Sequence, residues 1–315
     1  MNNTHKLYIA GHRGMLGSAL LRAYKKNDKY ELLTATRDQL DLLDQRAVFD
    51  FLNENKPDAV IIAAAKVGGI HANSQYPAEF IYENLAIALN IIEGSRRAGV
   101  QRLLNLGSSC IYPKQAPQPI KESYLLQSEL EITNEAYSIA KIAALKMCQH
   151  YRNQYGLLYH SAMPTNLYGS GDSYHAENSH VIPGLIRRIH QAKVQKLPSV
   201  TIWGTGNPRR EFLHVDDLAS ACMHLIEHPN PPDWVNIGTG KDISIKELAQ
   251  LIVDIVGFEG VIENDYSKPD GTMQKLLNIS LCDKIGWQAT TSLRDGLTQA
   301  YKSFLAETQS KTLRI

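Results

Sequence analysis

The 315 residues are enough to bury a sizeable core, in one large domain or two closely packed ones. Apolar residues make up 43% and charged residues 21%, an ordinary balance for a globular chain. Lys plus Arg number 33 against 32 Asp plus Glu, and the resulting formal charge of +1 gives no electrostatic reason to expect a nucleic acid or a membrane surface as partner.

The N terminus, MNNTHKLYIAGHRG, runs straight into an apolar strand and a glycine loop, without the basic head and apolar stretch of a signal peptide. No segment reaches the roughly 18 uninterrupted apolar residues of a membrane helix, so the expected location is the cytoplasm. KLYIAG ends in Gly11, and GHRGMLG leads from it into the apolar-periodic SALLRAY. Strand, glycine turn and helix in that order form the phosphate-binding unit of a dinucleotide fold, with the helix amides and dipole facing a pyrophosphate. The glycines Gly11, Gly14 and Gly17 are spaced G-x-x-G-x-x-G rather than G-x-G-x-x-G, so the context has to carry the reading.

That context is an alternation: strand YELLTA, helix DQRAVFDFLNENKP, buried strand DAVIIAAA, helix YENLAIALNIIEGSRRAG and strand QRLLNLGSS. It predicts an α/β fold, a Rossmann-type doubly wound parallel sheet with helical crossovers. The second strand runs into LLTATRDQLDL, the tip at which a ribose 2′ position is read. Arg37 stands there and Arg13 lies in the glycine loop, a pair that favours the 2′-phosphate of NADP. The other reading makes Arg37 a solvated charge and leaves a free hydroxyl to Asp38.

NLGSSCIYP places Ser108 and Ser109 before Cys110, and about thirty positions on, EAYSIAKIA holds Tyr137 and Lys141 in a Y-x-x-x-K spacing that sets both on one helix face. Lys141 is expected to lower the phenol's pKa and to hold the nicotinamide ribose, so that Tyr137 gives or takes a proton at a carbonyl. The motif gains weight from its place after the fifth strand of a glycine-loop fold, with Ser108 at that strand's tip. A cysteine just after a strand is by itself a small buried hydrophobe. Cys110, however, lies where such folds bind ligands, and a thiol is suited to moving a proton at a carbon beside a ketone. Cys110, Cys148, Cys222 and Cys282 are scattered without a C-x-x-C pair, which argues against a disulfide framework and a zinc site; no metal-ligand spacing is found.

His180, in NSHVIPGLIRRIH, stands at the start of an apolar helix, as a capping or surface histidine or as the partner of Cys110. Inverting a carbon next to a carbonyl needs two groups of suitable pKa on opposite faces, and the enolate between those steps needs a donor such as Tyr137 with Ser108. After MPTNLYG the βα rhythm weakens into loops and short helices. Residues 1–168 are therefore expected to form the nucleotide-binding domain, with the chain crossing back near 210–240, and residues 169–315 mainly a smaller α/β substrate domain. Arg187 with Arg188 and Arg209 with Arg210 suit a diphosphate, one member of each pair being a solvated charge. Trp203 stacks on a base or sits in the core, and Asp216 with Asp217 cap the following helix.

The glycine loop, S-x-C and Y-x-x-x-K together resemble the extended short-chain dehydrogenase/reductases that act on nucleotide sugars. GHRGMLGSAL, AAAKVGGI, LGSSCIYP, MPTNLYG, NSHVIPGLIRR and REFLHVDDLA extend the resemblance over nearly the whole chain, toward those members that epimerise and then reduce a GDP-linked sugar. The resemblance implies NADPH-dependent conversion of GDP-4-keto-6-deoxy-D-mannose to GDP-L-fucose, by epimerisation at C3 and C5 and then reduction at C4. It implies that Tyr137 is the proton donor in reduction, Lys141 its partner, Ser108 the hydroxyl on the keto oxygen, and Cys110 and His180 the base and acid of epimerisation. To NADP(H) it carries over Gly11, Arg13, Gly14, Met15, Leu16, Gly17, Arg37, Leu106, Ser109, Lys141, Pro164, Asn166, Leu167 and His180. To the GDP-sugar it carries Arg188, Trp203, Arg210 and Asp270 in SKPDG. It also implies a homodimer paired through a helix bundle that includes the helix of Tyr137. The loop 170–177 departs from the family pattern at Ser170, Gly171 and Ala176. A reductase or epimerase of another GDP-linked 4-keto hexose or heptose therefore stays open. A non-catalytic NADP-sensing regulator is expected to have lost Tyr137 or Lys141, and both are present.

Overall fold

Short apolar runs that are buried on both sides pair as parallel strands, and the amphipathic stretches between them wind into the crossovers. The computed structural model describes residues 5–25, 29–176, 179–268 and 270–315; Glu177 of the divergent loop, Asn178 of NSH and Pro269 of SKPDG lie outside the described residues. The first half runs β1 (His5–Ala10), α1 (Met15–Tyr24), β2 (Tyr30–Leu33), α2 (Gln45–Asn55), β3 (Ala59–Ile62), α3 (Ile70–Gln75), α4 (Pro77–Arg97), β4 (Arg102–Leu106), α5 (Glu135–Tyr155) and β5 (Leu158–Pro164). The second runs β6 (Asn166–Tyr168), α6 (Val181–Val194), β7 (Ser199–Trp203), β8 (Arg209–His214), α7 (Val215–Glu227), β9 (Trp234–Ile237), β10 (Asp242–Ser244), α8 (Ile245–Val256), β11 (Val261–Asp265), β12 (Gln274–Lys275), α9 (Ser280–Lys284) and α10 (Leu293–Gln309).

The central sheet has the order β2-β1-β3-β4-β5-β9, parallel throughout, as the alternation predicts. Successive side chains of β1 go to opposite layers. Leu7 and Ile9 meet Leu20 of α1 and Leu218 of α7, whereas Tyr8 and Ala10 share a second core with Leu52 of α2, Ile91 of α4 and Ala144 of α5. The chain moves outward from β1 to β2 and returns to β3 on the other side of β1, so a crevice opens at the carboxyl ends there. Ser108 follows β4, the fourth strand and not a fifth, since KLYIAG, YELLTA, DAVIIAAA and QRLLNLGSS form β1 to β4 with no further strand among them.

A smaller assembly is centred on β8, which pairs with β10, β12 and β6, while β7 pairs with β11. Its helices are longer than the short ones expected: α6, α8 and α10 have 14, 12 and 17 residues. The helical spacing of Ile182, Leu185, Ile186 and Ile189 gives α6 one apolar stripe, buried with Leu248 and Ile252 of α8 and Phe304 of α10. Helix α7 starts at His214, whose Nδ1 accepts from the Asp216 amide at 3.3 Å, so Asp216 and Asp217 do not cap it. Both are already inside the first turn. Asp216 pairs there with Arg22 at 2.7 Å, and Asp217 accepts from Thr290 Oγ1 and the Thr291 amide.

Glu211 on β8 ties the two assemblies together. Its buried carboxylate accepts from the amides of Thr239, Gly240 and Leu277 at 2.6, 2.7 and 2.9 Å. Burial raises its pKa, against the lowering effect of those amides. Removing the carboxylate strands three donors in a dry site, each costing about 1–3 kcal/mol. Glu211→Ala is therefore expected to lose on the order of 3 kcal/mol or more of stability, read as a lower urea midpoint at unchanged slope; an unchanged midpoint would contradict this.

Candidate active site

Gly11 takes φ +85°, and a Cβ on it would stand 2.6 Å from the Ala64 amide nitrogen. A Cβ on Gly17 would overlap the Gly11 carbonyl oxygen. Both positions let the loop at the end of β1 lie flat against β3 and the first turn of α1. Gly14 caps α1 without any side-chain hydrogen bond, which leaves the amides of Met15, Leu16 and Gly17 and the positive helix end facing the crevice. His12 reaches the backbone of Ala35; desolvation first, then the charge of Arg13, lowers its pKa against that bond. Arg13 and Arg37 are both exposed, on the glycine loop and just beyond β2. A pyrophosphate fits the glycine cradle, and the contact of His12 with Ala35 draws the two arginine-bearing segments to one corner.

The chemical residues gather where β4 ends. The Cys110 amide donates to Ser108 Oγ at 3.2 Å, and Ser138 Oγ donates to the Cys110 carbonyl at 3.0 Å. Lys141 is buried and donates to the Leu106 carbonyl at 2.8 Å, with its ammonium 5.8 Å from the centre of the Tyr137 ring. Burial pushes that ammonium down to about 8. Tyr137 is raised, first by burial and then by negative charge on Cys110, against a hydrogen bond with Ser108. In the free protein burial sets the direction, opposite to the expected lowering by Lys141. The phenol keeps its proton at neutral pH and is a donor.

Cys110 differs from the other three cysteines. Cys148, Cys222 and Cys282 are core side chains whose thiols are raised by burial, the first and last to about 12. Burial also disfavours the Cys110 thiolate. The charge of Lys275 and hydrogen bonds from Ser108, Lys275 and Asn134 outweigh it, and the thiol lies below its ordinary value. The Lys275 Nζ is 3.6 Å from Sγ. His180 is the residue before α6, is open to solvent, and has its pKa lowered by the protein around it. Among the described residues it forms no hydrogen bond with the Cys110 cluster.

Each arginine pair divides into two roles. Arg209 is a largely solvated charge that pairs with Asp242 at 2.8 Å, and Arg187 donates to the Tyr174 carbonyl at 2.6 Å. Arg188 donates to the carbonyls of Gly184 and Thr201, and Arg210 to that of Arg209. Both are partly buried, and desolvation lowers their pKa values without a carboxylate to offset it, an arrangement that suits an incoming anion. Trp203 is 63% exposed, with Lys268 Nζ 5.7 Å from the ring centre, so it is not a core residue and its face is free to stack. Asp270 accepts from the Thr205 amide at 2.9 Å and from Thr205 Oγ1 at 2.7 Å, which fixes the turn after Trp203.

At the cofactor end, Pro164 closes β5, and Asn166 on β6 donates to the Glu211 carbonyl at 2.9 Å, with Leu167 beside it. Leu106 and Ser109 are buried around the end of β4. Sequence reasoning missed Lys275, Asn134 and Glu211. Asn134 precedes the helix of Tyr137 and was within reach of a local reading. Lys275 is 165 positions from its partner thiol and has no local signal.

The profile of the NAD dependent epimerase/dehydratase family matches residues 7–238. The chain is 53% identical over 300 residues to GDP-L-fucose synthase 1 of Arabidopsis thaliana, covering 95% of this chain and 93% of that one. It is 52% identical over 309 residues to GDP-L-fucose synthase of Escherichia coli, covering 95% and 96%. Among solved structures, MlghC, a GDP-mannoheptose C4 reductase from Campylobacter jejuni with NADP bound, superposes with a TM-score of 0.88 at 37% identity, covering 97% and 99%.

Proposed function

The chain belongs to the NAD-dependent epimerase/dehydratase family, and on that footing we propose that it converts GDP-4-keto-6-deoxy-D-mannose to GDP-L-fucose by 3,5-epimerisation followed by 4-keto reduction with NADPH. The observation that carries epimerisation, over reduction alone, is the thiol: of four cysteines, Cys110 is the one that is not fully buried, with Lys275 Nζ 3.6 Å from its Sγ, two positions after Ser108 whose hydroxyl accepts from its amide.

NADP(H) is held by the Gly11–Gly17 cradle and the amides of Met15 and Leu16, with Arg13 and Arg37 at its 2′-phosphate and Lys141, Leu106, Ser109, Pro164, Asn166, Leu167 and His180 toward its nicotinamide end. When bound, it supplies the hydride to C4. Ser108 and Tyr137 hold the C4 oxygen of the sugar. The Cys110 thiolate takes the proton from the carbon beside the ketone; the C–H electrons move into the enolate, whose oxygen is held by the same two hydroxyls. His180, protonated, returns a proton to the opposite face. The steps serve C3 and C5 in turn. In reduction Tyr137 gives its phenolic proton to the C4 oxygen, and the nearby Lys141 ammonium stabilises the phenolate left behind. Arg188 and Arg210 receive the diphosphate, and Trp203 and Asp270 the guanosine. Residues 1–168 with the return through α7 and β9 serve the cofactor, and residues 169–315 mainly the GDP-sugar.

A homodimer fits the outer face of α4 and α5, where Tyr82, Leu89 and Ile139 are exposed together with Tyr155. Among the described residues no helix is long and apolar enough to cross a membrane. The formal net charge of +1 offers no attraction to a nucleic acid.

The deciding experiment supplies purified protein with NADPH and GDP-4-keto-6-deoxy-D-mannose and separates the products by chromatography. GDP-L-fucose formed with stoichiometric NADPH oxidation is the expected result. Turnover of a GDP-linked 4-keto heptose in its place would move the substrate assignment to the divergent 170–176 loop. In the same preparation, sedimentation at twice the 35.2 kDa chain mass checks the dimer.

A further inference from the structure

Among the described residues Lys275 is the ammonium that reaches Cys110, and nothing in its neighbourhood along the chain explains why it is there. It ends β12, a strand of two residues that pairs in parallel with β8, with Lys275 opposite Arg210. The backbone just after it is locked from three directions. The Leu276 amide donates to Gln118 Oε1 at 2.8 Å, the Leu276 carbonyl accepts from the Ile120 amide at 2.8 Å, and the Leu277 amide donates to Glu211 at 2.9 Å. A segment so fixed on both sides delivers its side chain to one place. That place is the thiol, with Nζ 3.6 Å from Sγ.

We infer that Lys275 is the positioning residue of the epimerisation half of the reaction: it holds Cys110 as the thiolate and aims Sγ into the sugar crevice, so the base is completed only when the C-terminal segment docks against the loop 118–120. This rests on the proposed role of Cys110 as base. The titratable groups acting on Cys110 are Lys275 from β12 and, from α5, Tyr137; Ser108 and Asn134 add neutral hydrogen bonds. An ammonium favours the charged form of the thiol, and a protonated phenol does not oppose it. Register places Lys275 and Arg210 on the same side of their strand pair, so the cation at the thiol and the cation offered to the diphosphate share one rigid support. Ionisation needs no co-reactant: the thiol proton leaves to solvent, and the thiolate and ammonium remain as a pair.

The test reads the thiol without any sugar. Carbamidomethylation of Cys110 by iodoacetamide is followed by peptide mass over pH 5–10 in the full-length protein; Cys148, Cys222 and Cys282 are buried and serve as internal controls. Lys275→Met is expected to move the pH midpoint of alkylation up by about one unit or more, and so to lower the rate at pH 7 about tenfold. Lys275→Arg, which keeps the charge, is expected to bring the midpoint back most of the way. The absorbance of the thiolate near 240 nm, taken as the difference from Cys110→Ser, gives the same midpoint in a second observable. Should Lys275→Met fail to fold, Lys275→Gln and Lys275→Arg compared with the parent protein carry the same reading. An unchanged midpoint in the uncharged variants, with NADPH binding intact, overturns the proposal. Because no substrate is present, a shifted midpoint stands even if Cys110 proves not to be the base, and that second question is answered by solvent exchange in Cys110→Ser.

Discussion

Tyr137→Phe is expected to lower the rate of C4 reduction by about 10²–10⁴-fold, the usual contribution of a positioned proton donor. The variant removes one oxygen and keeps the ring, so binding and packing are preserved. Ser108 still holds the ketone oxygen, and exchange of solvent deuterium into C3 and C5 is expected to survive at a reduced rate. NADPH oxidation at 340 nm and mass spectrometry of the sugar read the two halves separately. Reduction at the parent rate would remove Tyr137 from the mechanism. The pH dependence follows from the neighbouring groups. Burial and the Cys110 charge raise the phenol, so it stays protonated through the neutral range. Lys141 is lowered to about 8, so its ammonium is present below that value and lost as pH rises through it. Reduction is therefore expected to decline above about pH 8, as the charge that stabilises the phenolate disappears.

Cys110→Ser is expected to cost a comparable factor in the other half of the reaction, about 10²–10⁴ in deuterium exchange at C3 and C5, with NADPH affinity unchanged. A serine hydroxyl fills nearly the same space but does not ionise near neutrality, so the Lys275 charge acts on a group that cannot use it. Exchange at the parent rate would return Cys110 to the status of a packing residue. The kcat/KM profile for exchange should be bell-shaped, because the step needs Cys110 without its proton and His180 with one, and Lys275→Met should move the limb that belongs to the thiol.

Much of this was legible in the chain. The run KLYIAGHRGMLGSALLRAY contains a complete strand, turn and helix, and Gly11 and Gly17 stand where the structure leaves no room for a Cβ. The spacing of Tyr137 and Lys141 is one helical turn, and helix α5 places them accordingly. The length of α6, α8 and α10 was underestimated because loops rich in Asn, His and Gly dominate the text between them, while the apolar stripes become visible only as a shared core. Asp216 and Asp217 have the composition of a cap, but His214 takes that place because the helix begins at Val215, two residues earlier than a cap at Asp216 would set it. No local pattern distinguishes a core Trp203 from an exposed one, because its strand alternates and only the packing partners decide which face is covered.

The sequence by itself determined the kinds of element, the parallel sheet and the types of group brought to its crevice, because helix and strand periodicity and turn chemistry are properties of neighbouring residues. Only the tertiary structure decided how tightly each of those groups holds its proton. The phenol is raised instead of lowered, and one thiol of four is lowered, because burial and Coulomb attraction act through space between residues as far apart in the chain as Cys110 and Lys275. A strand of two residues, β12, sets that contact: it pairs with β8 inside the smaller assembly, and the docking of Leu276 on Gln118 and Ile120 of the first half brings Lys275 to the thiol.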